Sequence, residues 1–559
     1  MRYLIIVLCA MIELYACVNS GTEEEMRLCV NQLGYIPSSV KEFVVENPSF
    51  RQFDVLDAES GQIVFTGTLE AEKKWEPAGS EKFAKGVFSE VTRPGSYTIK
   101  CGQAESSVFV IKDDIFTDAL KAGIKSYYYQ RCSEKLPEAY AGKWAREAGH
   151  PDVNLKFHES MNRMGTLDSP GGWYDAGDYG KYTVNAGITL LTMLMSCELC
   201  PHILDLALNI PKSELSSVPD IVIEMKYELD WLKTMQDGDG GVFFKIGPKQ
   251  FPGMIRPEAD HLKRYVIGKS TTSALNFAAV MAKAGSFLRP WYPDYSADCR
   301  KSAVSAYQWA EMHPDIPAPD EGGGTGLYGD RSYADEFLTA AVELYLSTEN
   351  KKYGDYVKEN IQSFSIEKPA AWDDIANFAF FEVVHNEDKF DSAIFNYAQR
   401  ALIEFSDIIL HRMETNVFSI PMLQSDFIWG SNSVLLNYGM TVAVASRINQ
   451  EQQYRDALPL FLDYIFGKNP TGYCFVTGFG KVSPMFIHHR PSAGDTIKEP
   501  VPGFLVGGPN KDMQDGKANY LREEPARAYT DVTASFASNE VAINWNAVLV
   551  FMLAAAWNS

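Results

Sequence analysis

Ala119-Leu-Lys-Ala-Gly-Ile-Lys-Ser-Tyr-Tyr-Tyr-Gln130 is the stretch at which this chain changes period. Its apolar residues return every three or four positions, the spacing of one helical face. Upstream the spacing is two. Phe43-Val-Val-Glu46, Phe53-Asp-Val-Leu56, Ile63-Val-Phe-Thr66, Ser96-Tyr-Thr-Ile99 and Ser107-Val-Phe-Val-Ile111 are short strand-like runs. Ser60-Gly61 and Pro94-Gly95 separate them with turn residues. Residues 27–112 therefore read as a small all-β sandwich.

Downstream, segments 119–130, 185–199, 221–236, 271–284, 301–311, 334–346, 353–362, 391–410, 432–447, 450–466 and 540–556 carry the helical period. Long Gly- and Pro-rich loops join them, with hardly a convincing strand between. Residues 113–559 are thus expected to form a large all-α toroid of helical hairpins. No motif recurs at a fixed period, which sets a solenoid aside. Loops of this length in compact domains tend to be functional.

With 46% hydrophobic and 22% charged residues, the 559-residue chain has an ordinary globular make-up and exceeds one average domain. A net charge of −21 argues against nucleic acid, because phosphate binding needs clustered Lys and Arg. The nine cysteines are scattered too widely for a disulfide framework. Cys29 and Cys101 are left as one candidate bridge, and Cys197 and Cys200 as helix packing. Residues 1–17 have the apolar core of a signal peptide, and Leu14-Tyr-Ala-Cys17 resembles a bacterial lipobox. The expectation is an exported chain, anchored at the cell envelope through acylated Cys17, with 18–26 as a polar tether.

Hydrolysis of a glycosidic bond needs two carboxyl groups in opposite protonation states. Asp175 and Asp178 lie in Gly171-Gly-Trp-Tyr-Asp-Ala-Gly-Asp-Tyr-Gly180, and Glu540 in Ser538-Asn-Glu-Val-Ala-Ile-Asn-Trp-Asn-Ala547. Asp178 is the candidate general base and Asp175 the holder of the attacking water. The competing reading is a turn whose aspartates cap the next helix. Glu540 is the candidate general acid; it is expected to open the last helix, with Asp531 supplying the like charge that keeps it protonated. His488-His489-Arg490 offers donors for sugar hydroxyls and a cation beside the carboxylates, and Asn539 is a further candidate contact. Trp173, Trp372, Trp429, Trp545, Tyr174 and Tyr179 are candidate stacking platforms for pyranose faces. Asp330, Asp335, Glu336, Asp373 and Asp374 offer oxygen ligands for a structural calcium, although capping and solvated charge explain them equally well.

Three ordered motifs carry a resemblance. They are Trp173-Tyr-Asp-Ala-Gly-Asp-Tyr-Gly-Lys-Tyr182; Gly467-Lys-Asn-Pro470 with Phe475-Val-Thr-Gly478 and His488-His489-Arg490; and the spacing of Tyr529, Asp531, Phe536, Glu540, Ala542 and Asn546. Val30-Asn-Gln-Leu-Gly-Tyr35 and Tyr328-Gly-Asp330 add weaker likeness. The chain resembles glycoside hydrolase family 9, the endoglucanase and cellulase family, in the subgroup with an N-terminal immunoglobulin-like domain. That resemblance implies an immunoglobulin-like sandwich followed by a six-hairpin (α/α) barrel. It also implies an inverting attack on β-1,4-glucan with no cofactor for the chemistry, Asp178 as base, Glu540 as acid, and His488, Arg490 and Asp531 in the site. Exo-acting members and a non-catalytic glycan binder are the alternatives. Some members bind zinc through two cysteines and two histidines. Here Cys132, His150 and His158 are present but Gly149 stands where the second cysteine would be, so zinc is not expected.

Overall fold

The computed structural model describes residues 26–320 and 325–557. Cys17 and the tether up to residue 25 lie outside the described residues. The first domain is two facing sheets. One runs Arg27–Cys29, Glu42–Glu46, Lys82–Val87 and Lys73–Lys74 in spatial order. The other runs Gly34–Tyr35, Phe109–Ile111, Gly95–Cys101, Gln52–Asp57 and Ile63–Thr68, with Ala104–Glu105 added beside Gly95–Cys101. Phe43, Val45, Phe53, Val55, Ile99 and Phe109 fill the space between them. Cys29 and Cys101 are both buried free thiols, so the candidate bridge does not form.

Strand Glu42–Glu46 is buried at every position. Side chains alternate across a strand, so Phe43 and Val45 face the sandwich interior while Glu42, Val44 and Glu46 face the second domain. Val44, Ala78 and Phe83 accordingly join the hydrophobic core of that domain. Trp75 packs on Phe418 and Phe427 at ring separations of 5.2 and 5.8 Å.

Among the described residues, twelve helices of ten residues or more build the second domain. An inner set comprises Thr183–Leu199, Thr271–Phe287, Ala334–Thr348, Ala376–His385, Ser431–Ile448 and Ile543–Trp557. From Thr183–Leu199 to Ala376–His385 successive members pack on one another, and Ile543–Trp557 packs on both Ser431–Ile448 and Thr183–Leu199; between Ala376–His385 and Ser431–Ile448 the packing runs through Ser392–Thr415. These inner helices are buried almost all round, as helices enclosed on every side must be. Thr117–Gln130, Asp220–Thr234, Pro293–Met312, Lys351–Asn360, Ser392–Thr415 and Gln452–Ile465 form the outer layer.

Two features depart from the expectation. Ala376–His385, Ala-Asn-Phe-Ala-Phe-Phe-Glu-Val-Val-His, is an inner helix buried from Ala376 to Val384, Asn377 and Glu382 included, so no polar face marks a helical period. The long loops also contain a five-stranded sheet, ordered Thr166–Leu167, Leu155–Phe157, Arg264–Lys269, Phe243–Pro248 and Lys181–Tyr182. Strands this short, two to six residues, leave too few positions for alternation to show. The edge strand Lys181–Tyr182 leads straight into the inner helix Thr183–Leu199, so this sheet holds the loop that carries Asp175 and Asp178.

Candidate active site

Gly171 and Gly172 adopt φ of 80° and 78°, a left-handed pair that turns the chain inward. A side chain on Gly172 would strike the Trp231 ring, its Cβ lying 2.6 Å from Cγ. Beyond the turn, the Asp175 N–H donates to the Gly180 carbonyl at 2.9 Å, closing a loop with both aspartates on it. Asp175 is 2% exposed, and its carboxylate accepts from Tyr328 Oη at 2.6 Å and Asn185 Nδ2 at 2.7 Å. Burial first, and then the charge of Asp178, push its pKa up to about 7, against the two hydrogen bonds. Asp178 is 7% exposed; Oδ2 accepts from Tyr182 Oη at 3.3 Å, while the buried Oδ1 has no hydrogen-bond partner among the described residues.

Glu540 reaches the same place from the far end of the chain. The short helix Phe536–Asn539 ends there, Glu540 is extended at φ −76° and ψ 163°, and the last helix starts only at Ile543. Its expected place in the first turn of that helix is therefore corrected, and the helix dipole, which fades within a turn, acts on it only weakly. The Gly507 N–H donates to its carbonyl at 2.9 Å, and Glu540 bridges to His488.

Gly177 is where the two stretches meet. A Cβ built there would lie 2.0 Å from the His488 carbonyl oxygen and 3.0 Å from Glu540 Oε1. Its N–H bonds to Glu540, and its carbonyl accepts from the Arg490 N–H at 3.1 Å and from Arg490 Nη1 at 2.8 Å. Burial, then the charges of Asp178 and Asp175, raise Glu540 well above the usual carboxylate range, with Arg490 and the Gly177 N–H opposing. The like charge comes from those two aspartates and not from Asp531. Asp531 accepts instead from the Met485 and Phe486 N–H groups, both at 2.8 Å, and holds the loop before His488.

His488 donates from Nδ1 to the Thr533 carbonyl at 2.7 Å; burial keeps its pKa below the ordinary value. Its ring lies 6.0 Å from Phe536, which lies 5.2 Å from Trp429, and Trp429 is 41% exposed. These rings form an apolar track running from the acid to the surface. Near the aspartates, Trp372 meets Tyr328 edge-on at 5.2 Å and stays partly exposed. Trp429 and Trp372 thus keep surface to offer a sugar.

Other candidates are placed differently. Trp173 is 1% exposed and donates to Glu224 at 2.9 Å, so it is core rather than a platform. Tyr174 and Tyr179 are equally buried, Tyr179 bonded to the Ile255 carbonyl at 2.5 Å. Trp545 is partly buried and packs under Gly430 and Gly507. His489 is 0% exposed, with both ring nitrogens engaged by Ser492 and Gln130 at 2.9 Å, and burial pushes its pKa down to about 3. Its buried ring is a scaffold rather than a sugar contact. Asn539 is also fully buried, bonded to Tyr529, Phe486 and Asp531. Tyr328, Tyr182, Asn185 and Gly177 are functional neighbours that sequence reasoning did not single out. Only the Tyr328-Gly-Asp330 and Ala-Gly-Asp patterns hinted at them.

Asp330, Asp335 and Glu336 are buried, with ligand atoms all within 4.8 Å of one another. Among the described residues, Asp330 Oδ2 and both Glu336 carboxylate oxygens find no donor outside this group. Burial first, then the charges of Asp335 and Asp330, and then a proton shared with them hold Glu336 well above its ordinary pKa. Buried carboxyl groups this close, with no cation paired to them among the described residues, fit a hard divalent cation in place of the shared proton. Asp373 is exposed and stands outside the group. His150 has both ring nitrogens occupied by Tyr174 and Asp260, and a side chain at Gly149 would strike the Pro257 backbone at 2.5 Å.

Paired aspartates beside a glutamate whose pKa is raised, in the loops of a helical toroid, are the groups a glycoside-cleaving enzyme needs. The family model of glycosyl hydrolase family 9 matches residues 116–553, and that of the cellulase N-terminal ig-like domain matches residues 23–106. The chain belongs to glycosyl hydrolase family 9. It is 38% identical over 550 residues to a xyloglucan-specific endo-beta-1,4-glucanase of Bacteroides ovatus, covering 93% of this chain and 92% of that protein. It is 32% identical to endoglucanase D of Acetivibrio thermocellus, over 96% of this chain and 84% of that one. The solved structure of AaCel9A in complex with cellobiose-like isofagomine superposes with a TM-score of 0.89 at 33% identity, covering 95% and 100% of the two chains.

Proposed function

We propose that this protein is an inverting endo-β-1,4-glucanase acting on plant cell-wall glucans, with Asp178 as general base and Glu540 as general acid. The observation that carries this reading is the junction at Gly177, where Glu540 sits beside the aspartate loop with its pKa raised. In this mechanism Asp178 Oδ1 accepts a proton from a water that attacks the anomeric carbon. Asp175, held by Tyr328 and Asn185, steadies that water. Glu540 gives its proton to the leaving glycosidic oxygen, so one proton is taken and one delivered per bond cleaved. Solvent then resets both carboxyl groups. Proton NMR of the first-formed reducing end on soluble β-glucan tests the inversion. An initial product of retained anomeric configuration overturns it. Product profiles on carboxymethylcellulose, mixed-linkage glucan, xyloglucan and chitosan oligomers separate internal from terminal cleavage; the relative from Bacteroides ovatus makes xyloglucan the first substrate to try.

Two further assignments belong to this reading. A structural calcium is held by Asp330, Asp335 and Glu336, so a chelator lowers Tm and added calcium restores it. The chain is exported and lipid-anchored through Cys17, so Cys17→Ala moves the protein from the membrane fraction to the soluble one. An unchanged Tm or an unchanged fractionation overturns the respective assignment.

A further inference from the structure

The residues just outside the catalytic pair, Tyr174 before Asp175 and Tyr179 after Asp178, both point away from the cleft into one buried cluster. At its centre is His150, 6% exposed. Its ring lies 5.5 Å from Tyr174 and 4.9 Å from Tyr179, and those two rings are 4.8 Å apart. The Asp260 carboxylate accepts from Nε2–H at 3.1 Å, which leaves Nδ1 to accept from the Tyr174 hydroxyl at 2.8 Å. A Tyr–His–Asp chain therefore runs from the catalytic loop to the segment after the short helix Pro257–Ala259.

The backbone around His150 is held in a costly shape. His150, Asp152 and Asn154 have φ of 49°, 47° and 54°, three left-handed non-glycine residues within five positions. Such conformations persist only where the surroundings enforce them, and they gather at functional sites. The enforcing contacts are visible. The His150 carbonyl accepts from Ser133 Oγ at 2.7 Å, and Gly149 leaves no room for a side chain against Pro257. Asp152 is gripped by Arg264 Nε at 2.7 Å and Lys181 Nζ at 2.8 Å. Arg264 also reaches the Tyr179 carbonyl through Nη1 at 2.6 Å. One strained turn thus grips both flanks of the loop: Tyr174 through His150, and Tyr179 through ring packing and Arg264.

We propose that His150 is a positioning residue for the glycoside-cleaving reaction, locking Tyr174 and Tyr179 so that Asp175 and Asp178 are held in one geometry toward Glu540. The inference rests on the assignment of those aspartates under the proposed function. Its physical content is pre-organisation: an error of about 1 Å at a reacting group costs up to about a hundredfold in rate. His150 touches neither aspartate, so it acts through the tyrosines alone.

The test compares Tyr174→Phe, His150→Phe and the double variant in the full chain, on soluble β-glucan, at a temperature well below each Tm. Each single variant is expected to lose about tenfold in kcat with KM within about twofold of the parent. The double variant should lose no more than the worse single, because both changes cut the same hydrogen bond. Values of kcat within about twofold of the parent in both single variants overturn the proposal, even if Tm falls, because they leave a purely structural role. Losses that multiply in the double variant also overturn it. If His150→Phe does not fold, Tyr174→Phe, which keeps the ring, decides on its kcat. Asp178→Asn is run alongside. If it keeps most of the activity, the assignment of the aspartates is what fails; if it is inactive while neither Tyr174→Phe nor His150→Phe is impaired, only the role of His150 fails.

Discussion

The seam between the two domains and the mouth of the barrel both bury carboxylates, yet Glu42 in the one and Asp175 in the other are shifted in opposite directions. In the seam, Glu42 is 5% exposed, and burial opposes its charge. Lys468 at 3.1 Å, Lys85 at 3.2 Å and the Ser419 hydroxyl at 2.6 Å nevertheless hold its pKa down at about 2. Glu46 is likewise paired with Arg527 at 2.5 Å. In the mouth, Asp175 faces another aspartate and two neutral donors, and rises to about 7. Burial penalises the charged form in both places: at Glu42 two lysines outweigh it, whereas Asp463, 3.7 Å from Lys468, still rises to about 6. The seam spends its lysines and arginine on holding the sandwich to the barrel. At the mouth Arg490 and the Gly177 N–H oppose the rise in Glu540, and burial with the charges of Asp178 and Asp175 outweighs them.

The largest expected effect breaks the mouth. Glu540→Gln and Asp178→Ala should each lower kcat on soluble β-glucan by roughly 10²- to 10⁴-fold, the usual weight of a general acid or base. Full activity in either variant, measured with purified folded protein, removes the catalytic assignment. Gly177→Ala comes next. A methyl group 2.0 Å from the His488 carbonyl forces the two stretches apart. Activity should fall at least tenfold, a smaller loss than a 1 Å displacement of a reacting group can cause, and kcat/KM at a temperature where the variant is folded checks this.

The seam is broken by Lys468→Met. That change leaves buried Glu42 with Lys85 and Ser419 and buried Asp463 with Asn31, and should cost up to about 3–5 kcal/mol of stability, read by chemical denaturation. Its kcat should stay within about twofold of the parent, because this lysine faces the sandwich.

Acid and alkali then sharpen the contrast. The folded pKa of Glu42 lies below its ordinary value of 4.5, so its stabilising contribution is complete above that value and disappears as pH falls through about 2. The folded pKa of Asp175 lies above its ordinary 3.8, so its contribution is present below that value and disappears as pH rises through about 7. Tm measured against pH should therefore fall less between about 4 and 7 in Asp175→Asn than in the parent. Identical slopes contradict the assignment of that loss to Asp175. The smallest effect is expected from Trp429→Ala at the exposed end of the aromatic track: KM raised about two- to tenfold, with kcat little changed, in line with one lost ring contact.

Much of this was legible in the chain itself, and the exceptions have physical causes. The switch of spacing near residue 113 marks the change from sandwich to helices, because alternation and a 3.6-residue period leave different traces. Helix Ala376–His385 left no such trace, since a helix enclosed on all sides has no polar face. Asp175, Asp178 and Glu540 could be singled out as residue types in suggestive company. Trp173 and Trp429 looked alike in sequence, each beside glycine, yet one is sealed in the core and the other is 41% exposed. Exposure depends on what folds over a side chain, and that information is held in distant segments.

Local pattern by itself therefore determined the two kinds of domain and the carboxyl groups available for chemistry, because periodicity and residue type are properties of neighbours along the chain. Only the tertiary structure decided which of these carboxyl groups have raised pKa values. That depends on Gly177 letting Glu540 lie beside the aspartate loop, and on lysines being placed at the seam rather than at the mouth. Charge–charge energy and desolvation act through space, so no reading along the backbone can supply them.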